Sequence, residues 1–213
     1  MPKLWKDSLL DRIIENTVKN LKKHFFEVKV FNDTESIKKE IKLLLNKYES
    51  FAFGGSMTLE ETGIKDFIIA NGKKYIERNN SASEEEKIES ERRALLSDIY
   101  FCSANAISSD GALINIDKRG NRVGAMIFGP RKVIIIAGTN KIVETTDLAL
   151  KRAKNIASVK NCIRFNLDTP CVKMQRCVDC EDEKSICYTT TIIKRSFPQK
   201  RISIFLIDKT YGF

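Results

Sequence analysis

Apolar residues recur at helical spacing through Leu9–Leu21, at positions 9, 10, 13, 14, 18 and 21, with acids early and lysines late. That period predicts an amphipathic helix whose charges suit its dipole. Phe26–Phe31 then alternates as a strand. Asp33-Thr34-Glu35 opens a second helix that runs to about Tyr48, with Ile37, Ile41, Leu44 and Leu45 on one face. Phe51-Ala52-Phe53 is a short buried strand that ends on two glycines. Strand, helix, strand, glycine turn and helix is the succession of a parallel α/β sheet.

Residues 83–98 predict a charged helix, with Ser83 as cap and Glu86 completing a capping box. Strands are expected at Tyr100–Ile107, Ala112–Asp117, Gly124–Phe128 and Val133–Ala137, with turns at Asp110-Gly111 and Gly120-Asn121. Glu144–Ala157 predicts a further helix. From Ser158 to Cys187 no period is visible, and this stretch holds five of the six cysteines. Strands Tyr188–Lys194 and Ile202–Ile207 close the chain around a Pro198 loop. With no internal repeat and no low-complexity linker, the reading is one domain, 1–213, in which 158–187 is a cysteine-rich loop segment.

Composition narrows this picture. A chain of 213 residues buries a core without covalent staples, so the cysteines call for another explanation. Hydrophobic residues at 42% and charged residues at 31% are ordinary for a soluble globular protein. Met1–Arg12 carries charges throughout, so no secretory leader is expected. No apolar run approaches the roughly 18 residues that span a bilayer. The expectation is a cytoplasmic protein without a membrane span, a homodimer being the default at this size. The net charge of +9, from 37 Lys and Arg against 28 Asp and Glu, favours anionic partners. Basic residues alternate with acids, as in Lys38-Lys39-Glu40 and Glu89–Arg93, which describes a solvated surface. Aromatic residues do not interleave with them, so a small carboxylate or phosphate is favoured over nucleic acid.

Three groups of residues offer chemistry. Gly54-Gly55-Ser56 follows a strand directly, where glycine lets backbone approach a ligand, the next helix offers free N–H groups and Ser56 adds a hydroxyl. The competing reading is a tight turn with Ser56 as cap. Asn105, inside an apolar strand, needs partners for both ends of its amide and so orders a loop or grips a ligand. Arg122 suits bidentate carboxylate or phosphate recognition as well as it suits a surface. Cys171, Cys177, Cys180 and Cys187 follow the pattern C-x5-C-x2-C-x6-C. Four thiols so spaced fit a zinc site or an iron–sulfur cluster, though the spacing is neither the usual zinc-finger pattern nor the common ferredoxin run. Reduced thiols are the alternative, and disulfides are disfavoured in a reducing compartment. Cys102 and Cys162 read as small apolar packing groups. His24, the single histidine, reads as a cap on the first helix, and no Walker loop or G-x-G-x-x-G follows a strand.

Phe53–Ile64, Ser103–Ile107, Asn121–Pro130 with Arg122, Ala137–Val143 and the cysteine segment Thr169–Cys187 together resemble, in order, the signatures of short, stand-alone LUD (lactate utilisation) domain proteins. The resemblance runs from about residue 5 to the end. It implies a three-layer, Rossmann-like α/β sheet akin to the sugar-phosphate isomerase and coenzyme A transferase superfamily. It also implies an accessory component or subunit in the oxidation of lactate to pyruvate, acting with iron–sulfur and dehydrogenase-like partner proteins. Gly54, Gly55, Ser56, Asn105 and Arg122 are the ligand-binding candidates. The alternatives are a coenzyme A transferase-like or isomerase-like enzyme reacting through Glu60 or Glu61, and a metal-binding redox module built on Cys171, Cys177, Cys180 and Cys187. Fold likeness alone does not assign an activity.

Overall fold

The computed structural model describes residues 4–77 and 83–213. Helix α1 (Leu4–Lys23) leads into strand β1 (Glu27–Phe31), helix α2 (Thr34–Leu45) and strand β2 (Ser50–Phe53), as the hydrophobic period predicts. Then come α3 (Met57–Glu61), α4 (Ile64–Asn71), β3 (Lys74–Tyr75), α5 (Glu84–Ala94) and β4 (Ile99–Cys102). Strands β5 (Ala106–Ser108) and β6 (Leu113–Asp117) precede α6 (Asn121–Ile127), β7 (Lys132–Gly138), a 3-10 turn at Thr139–Lys141 and β8 (Ile142–Val143). Helix α7 (Thr146–Arg152) passes through a π turn, Ala153–Ser158, into α8 (Val159–Arg164). Helix α9 (Pro170–Met174) and strands β9 (Thr189–Ile193) and β10 (Ile202–Ile207) complete the chain.

Six strands form one all-parallel sheet in the order β1-β10-β7-β4-β2-β3. Parallel sheets are buried on both faces, which is why β7 reads as a continuous apolar run. Its alternate residues serve opposite faces: Val133, Ile135 and Ala137 join Leu21, Ala94 and Met126 from α1, α5 and α6. Ile134 and Ile136 join Ile37, Ile41, Leu59, Ile64 and Ile68 from α2, α3 and α4. Each such buried side chain contributes about 2 kcal/mol. Helices on both faces give the three layers that the resemblance implies.

A second sheet, ordered β8-β5-β6-β9, lies on the α1 side. Ile107 and Leu113 pack into the core of the main sheet. Ala106, Ile114 and Ile116 turn instead to Ala149 and Ala153 of α7 and the π turn.

Several expectations hold in detail. The Ser83 hydroxyl accepts the Glu86 N–H at 3.3 Å and the Glu86 carboxylate accepts the Ser83 N–H at 2.9 Å, a complete capping box. Asp110-Gly111 is the turn between antiparallel β5 and β6, and His24 Nδ1 bonds the Gly111 carbonyl at 2.8 Å. Other expectations need correction. Tyr100–Ile107 is not one strand: β4 ends at Cys102 and β5 begins at Ala106 in the other sheet. Ser103 and Asn105, between them, carry polar groups that an apolar ladder would leave unmet. Gly124–Phe128 is not a strand, because the apolar residues Val123, Ala125 and Met126 bury one side of α6. Gly120, at φ 78°, starts that helix from a left-handed conformation, and Asp117 accepts the Val123 N–H at 3.0 Å. The cysteine-rich segment is partly helical too. Helical structure runs past Ala157 to Arg164 through the π turn, whose shifted bonding breaks the 3.6 period. Helix α9 then starts on Pro170, whose missing N–H is no loss at that position.

Candidate functional site

Three strands of the main sheet end side by side at their carboxyl edges, where open α/β sheets bind ligands. After β2 comes Gly54, after β4 comes Ser103, and after β7 comes the turn that carries Lys141. These ends open into a cleft of about 510 Å³ whose wall includes Gly55, Ser56, Ser103, Asn105, Arg122 and Lys141. Lys118, Arg164, Phe165 and Phe213 line its outer part.

Arg122 organises one wall. Its Nε and one Nη share an oxygen of Asp117, at 3.0 and 2.6 Å. The other Nη reaches the Ser103 carbonyl and the Asn115 side chain, both at 2.7 Å. Further bonds run to Asn105 Oδ1 at 2.9 Å and the Ile116 carbonyl at 3.1 Å. All five N–H groups of the guanidinium are thereby engaged by the protein itself. Arg122 acts here as a clamp that ties β4, β5 and β6 together, and it brings its charge to the cleft without offering a free fork. The glycine beneath it is required for space. A Cβ on Gly54 would lie 3.0 Å from both Arg122 Cγ and Cys102 Cβ. Burial pushes the Cys102 thiol up to about 12, so it packs as an inert group.

Asn105 accepts from the Ile116 N–H at 2.8 Å as well as from Arg122. Its Nδ2 makes no hydrogen bond among the described residues and faces a cleft that the side chain lines. Ser56 caps α3, its hydroxyl accepting the Leu59 N–H at 3.3 Å. The cap and the cleft wall are thus the same residue.

Lys141 is only 3% exposed. Its Nζ donates to Ser103 Oγ at 3.0 Å and to the Ala104 carbonyl at 3.2 Å, and it has no carboxylate partner among the described residues. Burial first, then the nearby Arg152 and Arg122 cations, bring its pKa down to about 7 against the opposing pull of Glu61 and Cys102. The backbone forces this burial. A Cβ on Gly138 would meet the Lys209 carbonyl at 2.5 Å and the Tyr211 nitrogen at 2.8 Å, so the 3-10 turn is pressed under the last residues. Gly212, at φ 60°, passes so close that a Cβ there would be 3.3 Å from Lys141 Nζ. Arg152, also buried, donates to the Asn140 and Asn105 carbonyls.

The charges around the cleft fall into two sets. Arg119 pairs with Glu84 and Glu91, and Arg122 with Asp117. Lys141, Lys118 and Arg164 have no carboxylate partner among the described residues. Lys118 lies over the Tyr188 ring and Arg164 stacks 4.3 Å from the Phe165 ring centroid. Five cations and three carboxylates, Glu84, Glu91 and Asp117, line the cleft, an excess of two positive charges.

The remaining candidates lie elsewhere. Glu60 is exposed and paired with Lys65 at 2.7 Å. Glu61 accepts the Gly212 N–H at 2.6 Å, and neither carboxylate lines the cleft. The thiols do not assemble: among the described residues no three Cys, His, Asp or Glu side chains gather closely enough to share an ion. Cys171 is buried beside Cys162 and 3.2 Å from the Thr169 hydroxyl, Cys177 bonds to Asp179, and Cys187 is exposed. This donor set does not fit a zinc ion or an iron–sulfur cluster.

The LUD domain family model matches residues 14–207. The chain belongs to the LUD domain family. No curated protein matches it significantly. Among solved structures it is similar to a DUF162 family protein from Deinococcus radiodurans. The identity is 13%, the match covers 93% of this chain and 98% of the other, and the TM-score is 0.54. That likeness shows a shared α/β fold. Among the described residues no helix is long and apolar enough to cross a membrane.

Lys141 is the residue that motif reading passed over as chemistry, although Ala137–Val143 stood among the family signatures. A signal was present: a lysine three residues beyond a buried parallel strand sits where such sheets place ligands.

Proposed function

We propose that this LUD domain protein binds a small carboxylate in the Lys141 corner of the cleft, and that it serves lactate utilisation as an accessory component or subunit. Lactate and pyruvate are the acids that the family association favours. One observation carries the reading: Lys141, Lys118 and Arg164 face the same cleft without carboxylate partners. Of the three only Lys141 is buried; buried charge is normally paired, and an anionic ligand supplies Lys141 with the missing partner. Asn105 Nδ2 and the Ser56 hydroxyl hydrogen are the uncharged donors beside it. A three-carbon acid fills only a corner of a cleft of about 510 Å³, which is within the range of pockets for larger ligands. The rest, whose outer part is lined by Lys118, Arg164 and Phe165, leaves room for a longer acid.

Isothermal titration with lactate and with pyruvate tests this. Saturable binding is expected, weakened at least tenfold in Lys141→Met and Lys118→Ala together, and weakened by salt. Absence of binding by either acid, or equal affinity in the double variant, refutes the proposal.

A further inference from the structure

We infer that Lys141 captures 2-oxo acids covalently, its amine adding to the ligand's carbonyl carbon to form an imine. The inference rests on the carboxylate site proposed above and narrows its ligand to the oxo member of the lactate and pyruvate pair, because a hydroxy acid has no carbonyl to attack.

The geometry is that of an activated amine. Lys141 lines a ligand-sized cleft, is withdrawn from bulk water, and has no carboxylate partner among the described residues to hold a proton on it. Arg152 and Arg122 flank it, and a neighbouring cation together with desolvation is the arrangement that makes a lysine nucleophilic. The amine titrates at about 7, so at neutral pH about half of it carries a free electron pair. A surface lysine at 10.5 has on the order of a thousandfold less. Lys118 and Arg164, on the lining of the same cleft, are the cations left to take the acid's carboxylate, so Lys141 serves as the amine.

The step balances without an added oxidant or reductant. The Nζ electron pair forms the N–C bond as the carbonyl π pair moves to oxygen. A proton passes from nitrogen to that oxygen, giving a carbinolamine. Ser103 Oγ, 3.0 Å from Nζ and 3.5 Å from Thr58 Oγ1, is placed to relay it. The carbonyl oxygen then leaves with both amine hydrogens as one water, and the C=N bond remains.

The test uses the whole chain with pyruvate and cyanoborohydride, which reduces an imine to a stable carboxyethyl-lysine, followed by peptide mapping by mass spectrometry. Labelling at Lys141 is expected to exceed that at any surface lysine by at least a hundredfold. Lactate in place of pyruvate should give none. The mapping needs no variant, and Lys141→Arg, if it folds, should abolish the dominant adduct. Label spread evenly over surface lysines overturns the inference. Calorimetric binding of pyruvate without an adduct at Lys141 also overturns it, while leaving the carboxylate site standing. Neither binding nor adduct overturns both.

Discussion

Lys141→Met separates a charge held for function from one held for stability. The substitution keeps the length of the side chain and removes its charge. In the fold the amine titrates at about 7 rather than 10.5, a difference of three to four pH units at about 1.4 kcal/mol each. The charged form is therefore disfavoured by about 5 kcal/mol. Between those two pH values the unfolded chain binds the proton that the folded chain has released, so the wild type gains stability as pH rises through this window. Below about pH 7 the full penalty is present, and by about pH 10 it has nearly gone. Methionine escapes the penalty but loses the hydrogen bonds to Ser103 and Ala104, about 1 kcal/mol each. The variant should be more stable than the wild type by about 2 kcal/mol at neutral pH and less stable by about 1 kcal/mol near pH 10. Urea unfolding of both proteins across this range measures the difference, in which titrations common to both cancel. A difference that does not change with pH refutes the argument that Lys141 is desolvated and unpaired.

Arg122→Ala should destabilise by about 3–5 kcal/mol, because Asp117 is left as a buried carboxylate without its cation; a loss below about 1 kcal/mol in denaturant unfolding would contradict the clamp. Gly54→Ala should lose about 1–3 kcal/mol through overpacking against Arg122 and Cys102, and pyruvate affinity should fall with it as the cleft wall shifts. An unchanged midpoint would show that the arginine has room to move. The double variant Cys177→Ser, Cys180→Ser should stay within about 0.5 kcal/mol of wild type, with or without a chelator. A large loss of stability on chelation of the wild type alone would show that these thiols do hold a metal.

The sheet was legible because its inner strands are buried on both faces, and such strands announce themselves as unbroken apolar runs like Val133–Ala137. The second sheet was harder. Its strand β5 follows β4 after three residues, and nothing in Ser103-Ala104-Asn105 says that the chain changes sheets there, since the partners that require it lie on α6 and the 3-10 turn. Helix α6 is hidden for a related reason: Gly124–Phe128 is apolar enough for a strand, and the helix is decided by the face that Val123, Ala125 and Met126 bury and by Asp117, which holds its start. Gly55, Ser56, Asn105 and Arg122 all line the cleft, with Gly54 packed behind Arg122 and Cys102. Their division of labour was invisible, because whether an arginine grips a ligand or its own protein depends on acceptors at positions 103, 105, 115, 116 and 117.

That division explains why the cleft holds so much basic charge. A pocket that binds anions needs cations that are fixed in place and cations that are unsatisfied, and one residue cannot be both. Arg122 is fixed: every N–H is spent on the walls, so its position does not depend on a ligand. Lys141 is unsatisfied: it is buried beside that fixed charge with two neutral acceptors and no carboxylate. Burial first, then Arg152 and Arg122, raise the free energy of the charged lysine, a penalty that an incoming carboxylate would relieve. Stability given up in this way at a binding residue is expected where function and folding make opposite demands. If lactate, which cannot form the imine, raises the unfolding midpoint of the wild type more at pH 6 than at pH 9, while Lys141→Met shows no such pH dependence, the stored penalty is what the ligand's carboxylate relieves.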